Sequence, residues 1–278
     1  MSNRLGDLLE SIERLEPFPR AAIRVLELAQ DDAEVDEIVA VIQGEPGLTL
    51  KVLRLANSVS SGSHVEVDSI QAAVNRLGRR SIANLAMATG CASVFMGYGG
   101  ATPRSHVGLW RESLHTAILA RRLAEIEGFE DAEFAFTAGL LQNLGHIVLD
   151  RFFREEREQI LERVAEGENM IRAERAILGM DHSFCGARIA QKWGLPDSLV
   201  QGIRFHHAPH SSRGQEALCS ILNLAERLTA FSLWNWDASM LYPGYDDEIA
   251  AAAPQGPDLQ LMLASVKAEM SSIDIAVD

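Results

Sequence analysis

The stretch AGLLQNLGHIVL, at residues 138–149, decides the fold of this chain. Its leucine, isoleucine and valine residues recur at helical spacing, which predicts one helix over about 131–150 with a firmly apolar face. Gln142 and His146 are one turn apart on another face of this helix, and Asn143 lies beside them. The glycines near these polar residues have no side chain that would cover the helix backbone. The pattern is typical of a buried helix that presents a few polar groups to a pocket.

The composition of the 278 residues favours helices and allows a sizeable core. Hydrophobic residues make up 47% of the chain, and aromatic residues only 6%. The formal net charge of −14 repels the phosphates of nucleic acids and of anionic membranes, so we expect neither as a partner. No apolar run reaches the roughly 18 residues needed to span a bilayer, and the N-terminus has no apolar signal core. These features predict a cytoplasmic protein.

Helix signals recur along the chain, and no stretch predicts a strand with any strength. Prolines and glycines separate periodic apolar segments of 8–20 residues, which predicts an all-α fold with short loops. A glycine-rich segment near residue 100 marks a boundary, so we expect an N-terminal helical subdomain over 1–100 and a second helical subdomain over 101–237. From 238 to 278 prolines weaken the pattern, and we expect a C-terminal extension with one short helix over about 258–271.

Seven of the eight histidines follow residue 100. His115 is in the middle of one predicted helix, His182 begins another, and the pair His206-His207 ends a third. Histidines that converge from separate helices are the way in which helical proteins build metal sites. Taken singly, each histidine is more often a core or surface residue whose ring nitrogens are satisfied.

The order of these motifs resembles the HD-type phosphohydrolase superfamily, and specifically its HDOD branch. The similarity runs from about residue 10 to 235. In the second half it rests on AGLLQNLGHIVL, GMDHSFCGARIAQKWGLPDSLVQGIRFHH (179–207) and LCSILNLAERLT (218–229). In the first half it rests on LEPFPRAAIRVLELA (15–29), VDEIVAVIQGEPGLTLKVLRLANS (35–58) and SIQAAVNRLGRRSIANLAM (69–87).

The resemblance implies an N-terminal helical subdomain packed on an HD-like helical subdomain. It also implies a position for each metal ligand, because active HD enzymes hold divalent metal with scattered histidines and a His-Asp pair. On this chain the His-Asp pair falls on Gln142 and Asn143, and a lysine that often follows it falls on His146. The other ligand positions fall on His115, His182, His206 and His207.

Replacing the His-Asp pair by amides disfavours the metal chemistry of the superfamily. Divalent ions prefer carboxylate or imidazole ligands, and a bridging carboxylate offsets the repulsion between two cations. Gln142 and Asn143 are neutral and can turn NH₂ donors toward a cation. We therefore expect a vestigial pocket without catalytic residues, metal or cofactor, lined by His115, Gln142, Asn143, His146, His182, His206 and His207.

The resemblance suggests that the chain is a non-catalytic regulatory module of bacterial signal transduction, an HDOD output domain. It would bind signalling proteins or a small ligand, and its acidic surface favours basic or neutral protein partners. One alternative is a metal-dependent phosphohydrolase for nucleotides or cyclic dinucleotides, with His115, His182, His206 and His207 holding divalent metal. Another is a sensor whose pocket binds a small apolar or nucleotide ligand. The sequence leaves open the partner, the oligomeric state and whether 238–278 pack on the core.

Overall fold

The structure is a computed structural model and describes residues 4–59, 66–97, 106–234 and 256–277. Within these ranges all regular elements are helical, so the predicted all-α class is confirmed. The first half contains α1 (Arg4–Glu13), α2 (Arg20–Gln30), α3 (Val35–Gln43), α4 (Pro46–Val59), α5 (Ile70–Leu77) and α6 (Arg79–Gly97). The expected boundary near residue 100 lies outside the described residues and stays a prediction.

The second half continues in the same way, with short turns between its helices. It contains α7 (His106–Ile126), α8 (Ala132–Leu141), α9 (Gly145–Phe152), α10 (Arg154–Ala165), α11 (Met170–Leu178), α12 (His182–Trp193) and α13 (Asp197–Phe205). A 3-10 turn (Pro209–Ser211), α14 (Glu216–Trp234) and α15 (Gly256–Val277) follow.

Capping residues stand at several of the helix ends. The Ser69 hydroxyl accepts a hydrogen bond from the Ala72 amide (3.2 Å) at the start of α5, and the Asp181 carboxylate accepts one from the Phe184 amide (2.8 Å) at the start of α12. Gly194 ends α12 with φ +76°, a left-handed conformation that glycine adopts without steric cost. The sequence thus fixes where His182 stands at the head of its helix.

One continuous core joins the two halves. In the first half α2 packs on α3 and α6, and in the second half α7 packs on α8 and α14 while α12 packs on α9 and α13. Helix α6 also contacts α7 and α8, and α1 contacts α9 and α12. Buried apolar side chains from both halves form a single cluster. The pocket helices α8, α9, α12, α13 and α14 are therefore held from several sides.

Two predictions about helix length are wrong. The helix expected over 131–150 is divided into α8 and α9, with a turn at 142–144 between them. The short C-terminal helix expected over 258–271 is longer and spans Gly256–Val277 as α15. Helix α15 packs on α4 and α7 and buries Val266 and Met270, so this described part of the extension belongs to the core. None of the helices, over the ranges that the structure describes, is long and apolar enough to cross a membrane.

Candidate functional site

The turn between α8 and α9 is the first element of the site. After Leu141 the chain turns through 3-10-type hydrogen bonds, from the Leu144 amide to the Leu141 carbonyl (3.0 Å) and from the His146 amide to the Asn143 carbonyl (3.1 Å). Gly145 then touches the backbone of α12, where a Cβ would lie 2.7 Å from the His182 carbonyl carbon. This close approach needs glycine, and it sets the start of α9 directly against the start of α12.

Four histidines from three segments meet at this point. The rings of His146 and His182 are stacked with centroids 4.1 Å apart, and His207 meets His182 edge-on at 4.9 Å. The His206 ring lies 3.9 Å from that of His207. The structure thus brings together four of the seven predicted pocket residues, from α9, α12 and the end of α13.

Two buried carboxylates join the histidines, and the sequence analysis missed both. Glu174 on α11 accepts hydrogen bonds from the His182 amide and from His182 Nδ1, both at 2.8 Å. Glu226 on α14 lies 3.7 Å from His206 Nε2 and 3.6 Å from His207 Nδ1. Each of these glutamates stands among apolar residues at helical spacing. An acid on the buried face of a helix is the signal that could have revealed them.

The histidines of this site differ in the direction in which their pKa values are shifted. Burial alone would lower the pKa of His182, but the charges of Glu174, Glu226 and Asp181 together with the Glu174 hydrogen bond raise it. Burial and repulsion by His182 lower the pKa of His206 to about 3. Burial, with repulsion from neighbouring cations, also lowers the pKa of His207. Of these three rings, His182 is therefore the one at which protonation is most favourable.

A buried arginine, Arg157, lies beside the carboxylate of Glu174 at the edge of the histidine cluster. Arg157 is 1% exposed, donates from Nε to Asp150 (3.0 Å) and lies with one terminal nitrogen 3.6 Å from Glu174. Glu174 also lies 3.8 Å from His146 Nδ1. Glu174 therefore stands between a permanent cation, which Asp150 also pairs with, and two imidazoles.

His115 takes a separate position. Its Nδ1 lies 3.1 Å from the Thr229 hydroxyl on α14, and burial followed by the charge of Lys267 lowers its pKa to about 4. Among the described residues, the groups whose ligand atoms are close enough to share an ion consist of His182, His206, His207 and Glu226, and of His146, Glu174 and His182. His115 belongs to neither group.

The amide pair is fully buried. Gln142 and Asn143 are each 0% exposed, and the oxygen and nitrogen of both side chains make no hydrogen bond within the described part of the chain. Buried amides normally make hydrogen bonds, so these two residues place unsatisfied polar groups in the interior. Neither offers the carboxylate that would bridge two divalent ions, and the residues present therefore do not fit a two-metal centre.

A cleft lies elsewhere, between the two halves of the chain. It has a volume of about 1010 Å³ and is lined by the turn from α7 to α8, the first half of α14, and Gln30 and Arg80 from the N-terminal half. Glu127, Glu130 and Asp131 stand along it. None of the seven predicted pocket residues lines this cleft, so the histidine site and the cleft are separate features.

The chain therefore has an all-helical fold with a largely buried cluster of four histidines. Residues 15–209 match the model of the HDOD domain, and the protein belongs to the HDOD family. An uncharacterized protein from Treponema pallidum (strain Nichols) is 29% identical over 227 residues, covering 79% of this chain and 43% of that relative. The chain thus spans less than half the length of this relative.

Solved structures share the fold along nearly the whole chain. An HDOD domain protein of unknown function from Geobacter sulfurreducens has a TM-score of 0.76 and 23% identity, with 99% of this chain and 98% of that chain covered. A candidate phosphohydrolase from Shewanella amazonensis SB2B has a TM-score of 0.75 and 25% identity, with 98% of each chain covered. These likenesses confirm the helical HDOD architecture.

Proposed function

We propose that this chain is a non-catalytic regulatory module of bacterial signal transduction, which acts by binding a protein or a small ligand. The observation that carries the proposal is the amide pair, because Gln142 and Asn143 stand at the positions implied for the His-Asp pair. A hydrolase of the HD type depends on divalent ions that activate water, and neutral amides hold such ions poorly. The family's scaffold is kept while its central ligands are replaced.

The cleft between the two halves supports binding to another protein. Its volume of about 1010 Å³ is large enough for several side chains of a partner, and its floor includes the buried Leu123, Ile221 and Leu224. Carboxylates along the cleft add to a net charge of −14 for the whole chain. We expect a basic or neutral signalling protein as the partner, in the cytoplasm, and neither nucleic acid nor membrane.

A second candidate function is a metal-dependent phosphohydrolase for nucleotides or cyclic dinucleotides. The observation that favours it is the group of His182, His206, His207 and Glu226, whose ligand atoms lie within 4.8 Å of one another. A bound divalent ion would supply an activated water for attack on phosphorus. In this candidate Gln142 or Asn143 would orient the substrate, and His115, named as a ligand from the sequence, stands outside the group.

A phosphodiesterase assay separates the two functions. The full chain is purified without chelator, supplied with Mn²⁺, and incubated with a cyclic dinucleotide and with a chromogenic phosphodiester. The regulatory proposal expects no turnover above the rate of a His206→Ala variant prepared in parallel. Turnover by the wild type that His206→Ala abolishes would contradict the proposal and establish the hydrolase.

A further inference from the structure

The cleft between the two halves of the chain combines helical walls, accessible apolar side chains and two carboxylates that make no ion pair with the described residues. We propose that it binds a basic amphipathic helix of a partner protein, whose arginine side chains pair with Glu127 and Glu130. The inference rests on the proposed function and deepens it, because it names the class of partner and the way in which the partner is seated. It involves none of the residues of the histidine cluster.

Helices form the walls of the cleft. The end of α7 and the first half of α14 line it, and these two helices pack on each other. On α14 the lining residues Ala217, Ile221 and Leu224 recur every three or four positions, so one face of this helix is turned to the cleft. Residues 217–224 extend over about 10 Å at 1.5 Å per residue, which is the length of two turns of a helix laid alongside. A groove between two packed helices accepts a third helix whose side chains interdigitate with theirs.

Apolar side chains of the cleft remain partly accessible to such a helix. Ala217 is exposed, and Phe129 and Phe134 are half-buried on either side of the start of α8. Covering them with the apolar face of a partner removes apolar surface from water, which favours association. The two aromatic rings also attract cationic side chains, since the face of a ring carries negative potential.

The charge of the cleft is negative and is not balanced within it. Among the described residues that line it are three acids and one arginine. Arg80 already pairs with Asp131, 3.1 Å away, and the His210 ring pairs with a carboxylate of α14. Glu127 and Glu130 are exposed, and neither makes an ion pair with any residue that the structure describes. These two carboxylates at the rim are therefore available to the cations of a partner.

Charge complementarity identifies the occupant of the cleft as basic. A second copy of this chain is disfavoured, because two molecules with a net charge of −14 repel each other. Arginine fits the rim better than lysine does, since its planar guanidinium binds a carboxylate with two hydrogen bonds and stacks on an aromatic ring. A helix with arginines on the flanks of an apolar stripe therefore matches the floor and the rim together.

Selection of peptides on the full chain tests the inference. A displayed library of random peptides of about 16 residues, long enough for four helical turns, is panned against the wild-type protein. We expect binders with apolar residues at helical spacing and several arginines, whose affinity falls about tenfold or more when NaCl is raised from about 50 mM to about 500 mM. No binders, or binders that are neutral or acidic, would overturn the inference.

Charge-reversal variants locate the binding site of a selected peptide. Glu127→Lys combined with Glu130→Lys should weaken its binding about tenfold or more, as measured by fluorescence anisotropy. The matched control is Glu158→Lys combined with Glu162→Lys, which makes the same change in net charge at two exposed positions on α10. The control should lower the affinity less than about twofold, because salt screens charges at that distance. Equal affinities of the two double variants would refute the site.

A bulky side chain tests the apolar part of the cleft without changing its charge. Ala217→Trp places an indole in the groove and should also weaken peptide binding about tenfold or more, through a steric clash. Ala165→Trp, at the exposed end of α10, is its control and should bind like the wild type. Wild-type affinity in Ala217→Trp would show that charge alone holds the peptide, as in a polyamine site, and would overturn the seated helix.

The phosphodiesterase assay on the same protein keeps the two proposals separate. Peptide binding at the cleft without turnover supports both. Peptide binding with turnover keeps the partner site and contradicts the non-catalytic function. Absence of both binding and turnover overturns the partner site and leaves the regulatory function standing, since that function can also be exerted through a small ligand.

Discussion

At residues 142 and 143, two buried amides stand where the superfamily implies its metal-binding pair. Restoring that pair with Gln142→His and Asn143→Asp adds an imidazole and an anionic carboxylate to a region that already contains four histidines. We expect the affinity for Mn²⁺ to rise about tenfold or more, because metal affinity increases with the number of charged ligands. Isothermal titration of the folded double variant against the wild type measures the change. No gain would mean that the surrounding histidines are not poised as ligands.

His115 makes the stability of the fold depend on pH. Its pKa is about 4 in the folded protein, below the usual 6.5, so between these values the unfolded chain binds a proton that the folded chain does not. Stability therefore falls as the pH drops through this window. Between pH 7.5 and pH 5 the wild type should lose about 2 kcal/mol more than His115→Gln, by the usual 1.36 kcal/mol for each pKa unit.

Urea unfolding of both proteins at the two pH values measures this difference. His115→Gln is a suitable reference because glutamine is neutral throughout the range and can still bond to the Thr229 hydroxyl. Parallel pH dependences in the two proteins would show that His115 takes up its proton equally in the folded and unfolded states.

At the scale of elements, the contact between α9 and α12 requires a residue without a side chain, which is Gly145. A Cβ on Gly145 would lie 2.9 Å from the Gly186 amide nitrogen as well as against His182, and backbone atoms cannot move aside as a side chain can. Gly145→Ala should therefore destabilise the protein by about 3 kcal/mol. Gly47→Ala on α4 is the control, because its Cβ meets nothing within 4 Å, and it should be neutral or slightly stabilising. Thermal unfolding compares them, and equal effects would contradict the contact.

The helices could be predicted from the sequence because apolar periodicity and capping residues act locally. Asp181 caps α12 and Gly194 ends it, and both are local signals of the kind that sequence reveals. The break after Leu141 could not be found in this way, since just beyond it Gly145 lies against α12, which begins about 40 residues further along the chain. An apolar face shared by two successive helices has the same pattern as one long helix.

The site was predictable only in part, for a similar reason. Spacing and resemblance identified His146, His182 and the His206-His207 pair, which the structure brings together. Glu174 and Glu226 were missed because an acid among apolar residues at helical spacing is only a weak signal of burial, which becomes decisive once the packing is known. Both carboxylates contribute to the charge of the pocket, since both raise the pKa of His182.

At the scale of the whole molecule, contacts distant in sequence tie the ends of the chain to the core. Lys192 donates from Nζ to the carbonyls of Ile12 and Glu13, both at 2.7 Å, which satisfies acceptors at the end of α1. At the other end, Glu269 on α15 pairs with Arg121 and Arg122 on α7. The two halves of the chain are therefore joined by these polar contacts as well as by a continuous core.

This shared core predicts that the two halves unfold together. Urea unfolding followed by helical circular dichroism and by tryptophan fluorescence should give one coincident transition.

Glu269→Gln should lower the stability by about 2 kcal/mol without dividing that transition, because it weakens a largely buried charged contact in the same cooperative unit. Glu125→Gln, which loses an exposed surface pair with Arg122, should differ from the wild type by less than about 0.5 kcal/mol. Two separated transitions in the wild type would show that the halves unfold independently and that the continuous core does not couple them energetically. A split that appears only in Glu269→Gln would lead to the same conclusion for α15 and the halves it joins.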